Sequence, residues 1–294
     1  MENTLILGGS GSLGKELCKI YSSQERVITY NNNFIEGGIK FNAVNMDIEK
    51  TVKDLEKFDT AILLLADKNP NSCYKNKEYS NKLNIESIKR ILHHLKKYKI
   101  KPIFLSTDVV FSGKKGNYIE TDKPDPILFY GKQKVIIENF IISNFKDYLI
   151  FRLSKTFTLR KHTSPEPFYN WIKFFEDKNK IYCATDQIYN PIYVNDTAEI
   201  IYQISRKNLN GIFNLAGPES FSRFEIFSKL YKEYCRYTKK DISLIKCRFN
   251  DLNLNLEDWP LNTSMIINKT LDSVELNFLT VENAIIETVK NYFK

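Results

Sequence analysis

The first fourteen residues contain the feature that most constrains the fold, a short apolar run that passes through a glycine-rich turn into an amphipathic pattern. Thr4–Leu7 predicts a buried strand, and Leu17 begins the apolar face of a helix after the turn. Glycines let a backbone turn tightly and approach a phosphate, and a helix N-terminus supplies free N–H groups. We therefore predict a dinucleotide site at this turn; a turn without a ligand is the alternative. Its candidate residues are Gly8, Gly9, Gly11, Ser12, Leu13 and Gly14.

The N-terminal half continues to alternate strand and helix patterns, which predicts an α/β fold with a doubly wound parallel sheet of the Rossmann type. Further strands are predicted at Arg26–Tyr30, Thr60–Ala66, Lys101–Leu105 and Leu149–Leu153, with helices from about Glu49 to Lys57 and Tyr79 to Lys97. The rhythm changes beyond residue 154. We expect a dinucleotide-binding domain over 1–154, joined by about 188–206, and a smaller, mainly substrate-binding C-terminal domain over 155–294.

The end of the second strand bears on the choice of cofactor. A site specific for NAD usually has an acidic residue there, which would repel a 2′-phosphate, but this chain has Asn31. NADP(H) is therefore favoured, and NAD(H) stays open. Asp47 is predicted either to cap the following helix or to lie beside the adenine. The other candidates for cofactor contacts are Ile48, Leu65 and Ala66.

A proton-transfer group is predicted between Ile103 and Glu138. Thr107 follows the apolar strand Lys101–Leu105, and after one loop Tyr130 and Lys134 lie four residues apart on one face of a new helix. A hydroxyl, a phenol and an ammonium together can move a proton to or from a carbonyl oxygen. We expect Lys134 to favour the phenolate and so to move the pKa of Tyr130 toward the working pH.

Two further polar positions are ambiguous in the sequence. The spacing of Tyr130 and Lys134 recurs at Tyr169 and Lys173, but the aromatic neighbours of Tyr169 predict packing there instead of chemistry. Asn84 lies within the apolar pattern of the predicted helix 79–97, where it faces either the site or solvent.

Composition narrows the classes of function. The 294 residues carry a formal net charge of +8, but no recognised nucleic-acid-binding module is present, so we expect a surface that attracts a nucleotide diphosphate. No apolar run approaches the roughly 20 residues that span a bilayer, and no signal segment precedes the first strand. Five scattered cysteines without a CxxC pair predict a reduced, cytoplasmic protein. His93 and His94 lack metal-ligand spacing, so no metal site is predicted. The sequence leaves open whether the protein forms a homodimer.

In their order along the chain, these motifs resemble the extended short-chain dehydrogenase/reductases, and most closely the dTDP-4-dehydrorhamnose reductase branch. The similarity covers nearly the whole chain. Its marks are Ser106-Thr107-Asp108-x-Val110-Phe111-x-Gly113, Tyr118-x-Glu120-x-Asp122-x-Pro124-x-Pro126, Tyr130-Gly131-x-x-Lys134-x-x-x-Glu138, Asp186-Gln187, Asn190-Pro191, Ala216-Gly217-Pro218 and Asn262-Thr263-Ser264.

The resemblance implies NAD(P)H-dependent reduction of a keto group on a nucleotide-activated sugar. Tyr130 would give a proton to the carbonyl oxygen, Lys134 would also hold the nicotinamide ribose, and Thr107 would donate a hydrogen bond to the same oxygen. Three departures from the family pattern fall around the predicted sugar pocket. Val109 stands where family members usually have tyrosine, and Trp259 stands where they usually have arginine. Family members also usually have an aromatic residue near the position of Lys155. The candidates for substrate contacts are Asp108, Val109, Lys155 and Asn190.

Two other functions stay open. One is a nucleotide-sugar epimerase or dehydratase with tightly bound NAD. A dehydratase would want an acid/base pair beside Thr107; Asp108 is present, but Val109 follows where glutamate is expected. The other is a non-catalytic, cofactor-binding regulatory subunit, because the β subunit of methionine adenosyltransferase resembles the same branch.

Overall fold

The computed structural model describes residues 3–159, 167–252 and 256–294. Its strands are β1 Thr4–Leu7, β2 Arg26–Tyr30, β3 Ile39–Lys40, β4 Thr60–Leu63, β5 Lys101–Leu105, β6 Leu149–Leu153, β7 Thr156–Phe157, β8 Lys180–Ala184, β9 Ile188–Tyr189, β10 Ile192–Tyr193, β11 Gly211–Leu215, β12 Phe221–Ser222 and β13 Ser243–Cys247. Its helices are α1 Ser12–Ile20, α2 Ile48–Thr51, α3 Pro70–Lys75, α4 Lys77–Asn81, α5 Ile88–Lys97, α6 Phe129–Asn144, α7 Pro167–Asp177, α8 Val194–Ser205, α9 Arg223–Tyr234, α10 Asn268–Leu271 and α11 Val281–Tyr292. No helix within these ranges is long and apolar enough to cross a membrane.

The described residues form a central parallel sheet of seven strands in the order β11-β6-β5-β4-β1-β2-β3. The chain builds outward from β1 through β2 and β3, then returns to the other side of β1 with β4, so the strand order reverses between β1 and β4. Open sheets of this kind bind ligands beyond the carboxyl ends of the strands at such a reversal. The predicted doubly wound fold is confirmed, and it places the glycine turn at the expected position.

Apolar layers cover both faces of this sheet. Leu5 and Leu7 pack into one layer with α5, whereas Ile6 packs into the other layer with α1 and α8. All four residues of β1 are buried, because its alternating side chains meet a helical layer on each side. This is why the strands are continuous apolar runs and do not alternate with polar residues.

A third apolar cluster lies in the C-terminal half, where α7, α9 and α11 pack around residues such as Phe168, Phe175 and Phe227. This half also returns two elements to the central sheet. Helix α8 packs against α1, and β11 pairs with β6 in parallel. The sequence analysis joins about 188–206 to the dinucleotide-binding domain. The strand that the C-terminal half adds to the central sheet, β11, lies just after that segment.

Three predicted elements differ in their bounds. The helix predicted from Glu49 to Lys57 is instead the single turn of α2 and a separate 3-10 turn, Leu55–Lys57, since Asp54 takes a left-handed conformation with φ +55°. The strand predicted to Ala66 ends its pairing at Leu63, because its partner β1 turns away at Gly8. The helix predicted over 79–97 begins earlier, in α4, and contains a π-helical segment, Lys82–Ser87.

Candidate active site

The turn between β1 and α1 is shaped for the close approach of a ligand. Gly8 has φ +90°, a conformation that favours glycine. A Cβ atom at Gly14 would lie 2.5 Å from the backbone of Gly9, whereas one at Gly11 would meet nothing nearer than 3.9 Å. Helix α1 has no side-chain cap and no acidic residue in its first turn, so its first N–H groups are available to an anion. These features fit a dinucleotide pyrophosphate.

A pocket of about 160 Å³ lies at this turn. Eight of the predicted cofactor residues line it, namely Gly8, Gly11, Ser12, Leu13, Gly14, Ala66, Tyr130 and Lys134. Gly9 lies behind the pocket, against Ile28 and hydrogen-bonded to the backbone of Thr29 at 2.8 Å. Leu65 packs into the core, and Asn31 is half-buried at the end of β2.

Asp47 has the first of its two predicted roles. Its Oδ1 accepts hydrogen bonds from the backbone N–H groups of Glu49 at 2.9 Å and Lys50 at 3.2 Å, which caps α2. The side chain of Ile48 is only 2% exposed and lies in the core. A contact of Ile48 with the cofactor stays a prediction.

The structure brings together one cluster of potential metal ligands that histidine spacing in the sequence did not predict. Side-chain atoms of Asp47, Glu49 and His94 lie within 4.8 Å of one another. These residues come from α2 and α5, which are distant in sequence. Lys97 already forms an ion pair with Glu49, so the cluster is partly neutralised by the protein itself.

Helix α6 brings the proton-transfer residues to the end of β5. Tyr130 and Lys134 are buried, and the Nζ of Lys134 donates a hydrogen bond to the carbonyl of Leu105 at 2.7 Å. The same Nζ lies 5.7 Å from the centre of the Tyr130 ring. Gly131 lets α6 pack closely against the segment after β5, because a Cβ atom there would collide with the carbonyl oxygen of Val109.

The pKa of Tyr130 is shifted in the direction opposite to the one expected from the sequence. Burial raises the pKa of Tyr130, and the charges of Cys73 and Asp108 raise it further. Burial also lowers the pKa of Lys134 to about 8, with Glu138 opposing the shift. The expectation that Lys134 lowers the pKa of Tyr130 is not met here, because desolvation of the phenolate dominates. A protonated phenol is suited to donating a proton.

Thr107 and Asp108 lie where β5 ends, and both are buried. The Thr107 hydroxyl is 3.2 Å from Oδ1 of Asp108, and Oδ2 accepts a hydrogen bond from Thr263 at 2.7 Å. Burial raises the pKa of Asp108, while Lys155 and these hydroxyls oppose the shift. Sequence reasoning treated Thr263 only as part of a family motif, because nothing local shows that it reaches the strand end.

A larger cleft of about 700 Å³ adjoins the glycine-turn pocket. Residues shared by the two spaces are Lys68, Ser106, Tyr130, Leu153 and Thr156. Thr107, Asp108 and Lys155 also line the larger cleft. Tyr130 thus lies at the junction of a pocket suited to the pyrophosphate of a dinucleotide and a cleft large enough for a second ligand.

Two predicted substrate residues do not line this cleft. Val109 packs with Cys73 and Leu128. The amide of Asn190 is already used, since its Nδ2 donates to the carbonyl of Gly217 at 3.2 Å and its Oδ1 accepts from the N–H of Met265 at 2.9 Å. The structure therefore places Val109 in packing and gives Asn190 a bracing role between loops. Cleft residues that the sequence analysis missed are Lys68, Trp171, Gln187, Tyr189 and Arg223.

Comparison with known proteins places this site in a family. Residues 1–292 match the family described as the RmlD substrate binding domain. The chain belongs to this family. Among curated relatives of this RmlD-family chain, dTDP-4-dehydrorhamnose reductase of Aggregatibacter actinomycetemcomitans is 24% identical over 240 residues, 79% of each chain. Methionine adenosyltransferase 2 subunit beta of Mus musculus is 23% identical over 233 residues, 76% of this chain and 69% of the relative.

Solved structures of similar fold agree with that assignment. A hypothetical dTDP-4-dehydrorhamnose reductase from Sulfolobus tokodaii has a TM-score of 0.81 and 26% identity, covering 96% of this chain and 98% of its own. A dTDP-4-dehydrorhamnose reductase from Bacillus anthracis, in complex with NADP, has a TM-score of 0.80 and 20% identity, covering 99% of this chain and all of its own. The resemblance inferred from the motifs is confirmed.

Proposed function

We propose that this chain is an NAD(P)H-dependent reductase of a keto group on a nucleotide-activated sugar. One observation carries the proposal: Tyr130 lines both the glycine-turn pocket and the larger cleft. A phenol at that junction can reach a carbonyl in the cleft while a dinucleotide occupies the pocket. The Aggregatibacter and Sulfolobus relatives, both described as dTDP-4-dehydrorhamnose reductases, support this class of substrate.

Each of the predicted catalytic residues has a separate role in reduction of the keto group. A bound reduced nicotinamide supplies hydride to the carbonyl carbon. Tyr130 gives its proton to the carbonyl oxygen, so that the ketone becomes an alcohol. The Thr107 hydroxyl donates a hydrogen bond to that oxygen as negative charge develops. Lys134, by the family resemblance, holds the nicotinamide ribose beside the phenol.

NADP(H) is the favoured cofactor. The Bacillus anthracis reductase of similar fold was solved with NADP, and this chain has Asn31 where an acidic residue would repel a 2′-phosphate. The roles of Asn31 and Asp47 near the adenosine remain predictions. A cytoplasmic location and a homodimer also remain predictions.

Replacement of the proposed proton donor tests the function. Tyr130→Phe removes the acidic proton but keeps the ring, so we expect NADPH binding by fluorescence titration to be retained while kcat falls by about a hundredfold or more. Tyr169→Phe is the matched control, because Tyr169 is equally buried but does not line the cleft. A Tyr130→Phe enzyme with near wild-type turnover would refute the assignment.

The same assay separates the other two functions. The regulatory-subunit alternative is supported by the Mus musculus relative, and it predicts cofactor binding without turnover of any nucleotide sugar. An epimerase or dehydratase converts its substrate without net consumption of added NADPH. The proposed reductase oxidises one NADPH for each sugar reduced, which absorbance at the nicotinamide band measures directly.

A further inference from the structure

Lys155 is a cation held in the cleft by aromatic rings. It follows the carboxyl end of β6, the sheet neighbour of β5, and its carbonyl accepts a hydrogen bond from the N–H of Ile192 at 3.0 Å. Its Nζ lies 4.4 Å from the ring centre of Tyr189 and 5.6 Å from that of Trp259. Ring faces attract a cation but leave its N–H donors without acceptors.

A second cation in the same cleft also lacks an acceptor. The guanidinium of Arg223 lies 5.7 Å from the ring centre of Trp171, and its buried Nε has no hydrogen-bond partner among the described residues. Within the same ranges, neither Lys155 nor Arg223 forms a side-chain hydrogen bond or an ion pair. The buried Oε1 of Gln187, which also lines the cleft, is likewise without a partner in the described chain.

Acidic groups are scarce among the described residues of the cleft. Among the described residues that line the cleft, Asp108 is the acidic one, against Lys68, Lys155 and Arg223. Both oxygens of Asp108 are within hydrogen-bond distance of threonine hydroxyls, so its acceptor atoms are already in use within the protein. Lys155 and Arg223 are half-buried, and cations that are partly removed from water without an ion-pair partner are costly. This arrangement is therefore suited to a ligand that brings negative charge.

We propose that Lys155, assisted by Arg223, binds a carboxylate carried by the sugar, so that the preferred substrate is a nucleotide-activated keto sugar acid. This inference rests on the proposed function and specifies its substrate class. Position favours the sugar over the diphosphate as the source of the charge. Lys155 and Thr107 follow adjacent strands, and Thr107 is the residue assigned to the reacting carbonyl. The sugar ring, which contains that carbonyl, is therefore the part of the substrate nearest to Lys155.

Matched ligands that differ only in the carboxylate test this assignment. Calorimetric titration with NADP⁺ present would compare UDP-glucuronate with UDP-glucose, and dTDP-glucuronate with dTDP-glucose. We expect the wild-type protein to bind a glucuronate ligand about tenfold to a hundredfold more tightly than its glucose counterpart, the range for a charge-assisted hydrogen bond. Lys155→Met should remove most of this preference, and Lys155→Arg should retain part of it.

One control variant and three contrary outcomes complete the design. Lys246→Met removes another lysine that lies over a ring, 5.0 Å from the centre of Phe224 but outside the cleft, and it should keep the preference. Equal weakening of glucose and glucuronate ligands by Lys155→Met would assign Lys155 to the diphosphate and overturn the proposal. Equal wild-type affinity for both would also overturn it, while leaving the reductase function intact. Failure to bind any of the four ligands would overturn both.

Discussion

Gly11 and Gly14 are three residues apart in the same turn, but the structure requires glycine at each for a different reason. Gly14 packs so closely on Gly9 that no side chain fits between α1 and the turn. Gly11 faces open space within the pocket at the N-terminus of α1. At the residue scale, one glycine therefore serves the packing of helix on strand, and the other leaves room for a ligand.

Alanine at these two positions should separate folding from cofactor binding. Gly14→Ala forces the backbone apart and should lower the free energy of unfolding by about 1–3 kcal/mol, measured by urea denaturation. Gly11→Ala should change that free energy by less than about 1 kcal/mol. It should nevertheless weaken NADP⁺ binding by about tenfold or more, because its methyl group occupies the pocket. Equal loss of stability in both variants would contradict this division.

At the scale of elements, the π-helical segment Lys82–Ser87 connects the loop after β4 with α6. Asn84 in this segment is 3% exposed and lines neither the glycine-turn pocket nor the larger cleft, so neither role suggested by the sequence, facing the site or facing solvent, is observed. Its Oδ1 accepts from the N–H of Asp67 at 2.9 Å, and its Nδ2 donates to the carbonyl of Asp67 and to Gln133. Gln133 immediately precedes Lys134, so this network positions the helix that carries the proton donor.

Removal of the Asn84 amide should therefore destabilise the protein. Asn84→Ala removes the hydrogen-bond partner of the Asp67 backbone and of the Gln133 side chain. We therefore expect the free energy of unfolding to fall by about 1–3 kcal/mol. Asn81→Ala is the comparison, since Asn81 accepts a single hydrogen bond from Gln133 and is partly exposed. Its cost should be below about 1 kcal/mol. An Asn84→Ala variant as stable as Asn81→Ala would show that the network contributes little.

At the scale of the whole molecule, one buried ion pair connects parts of the chain that are distant in sequence. Nη2 of Arg152 on β6 lies 2.9 Å from Oε2 of Glu138 on α6, and the two side chains are 2% and 1% exposed, respectively. Arg152 also donates to the carbonyl of Glu120, whose carboxylate accepts from the N–H of Asn214 on β11. Ser106 at the end of β5 donates to Glu138. The site is thus braced by charges in the middle of the sheet.

Breaking this pair should cost more than replacing it. Arg152→Met leaves Glu138 buried without its partner, so we expect a loss of about 3–5 kcal/mol in urea denaturation. Arg152→Met combined with Glu138→Leu removes both charges and should recover a substantial part of that loss. A double variant less stable than the single one would show that the pair stabilises the fold in its own right.

The sequence by itself determined the class of fold and most of the elements that carry the site. The bounds of β1, β2, β5 and β6 agree with the predicted strands, because a buried parallel strand is a continuous apolar run that ends where the polarity changes. The glycine turn and the Tyr130–Lys134 pair could also be located, since each depends on residues close together in the chain.

Only the tertiary structure decided what lies around that pair. Lys155, which follows β6, and Arg223 on α9 both line the cleft, while Thr263 in the C-terminal segment donates a hydrogen bond to Asp108. No local pattern predicts that these residues come together. The same holds for the raised pKa of Tyr130, which burial by the folded chain produces. Spacing along a strand or helix is a local property, whereas burial, charge pairing and the shape of a cleft depend on contacts between distant residues.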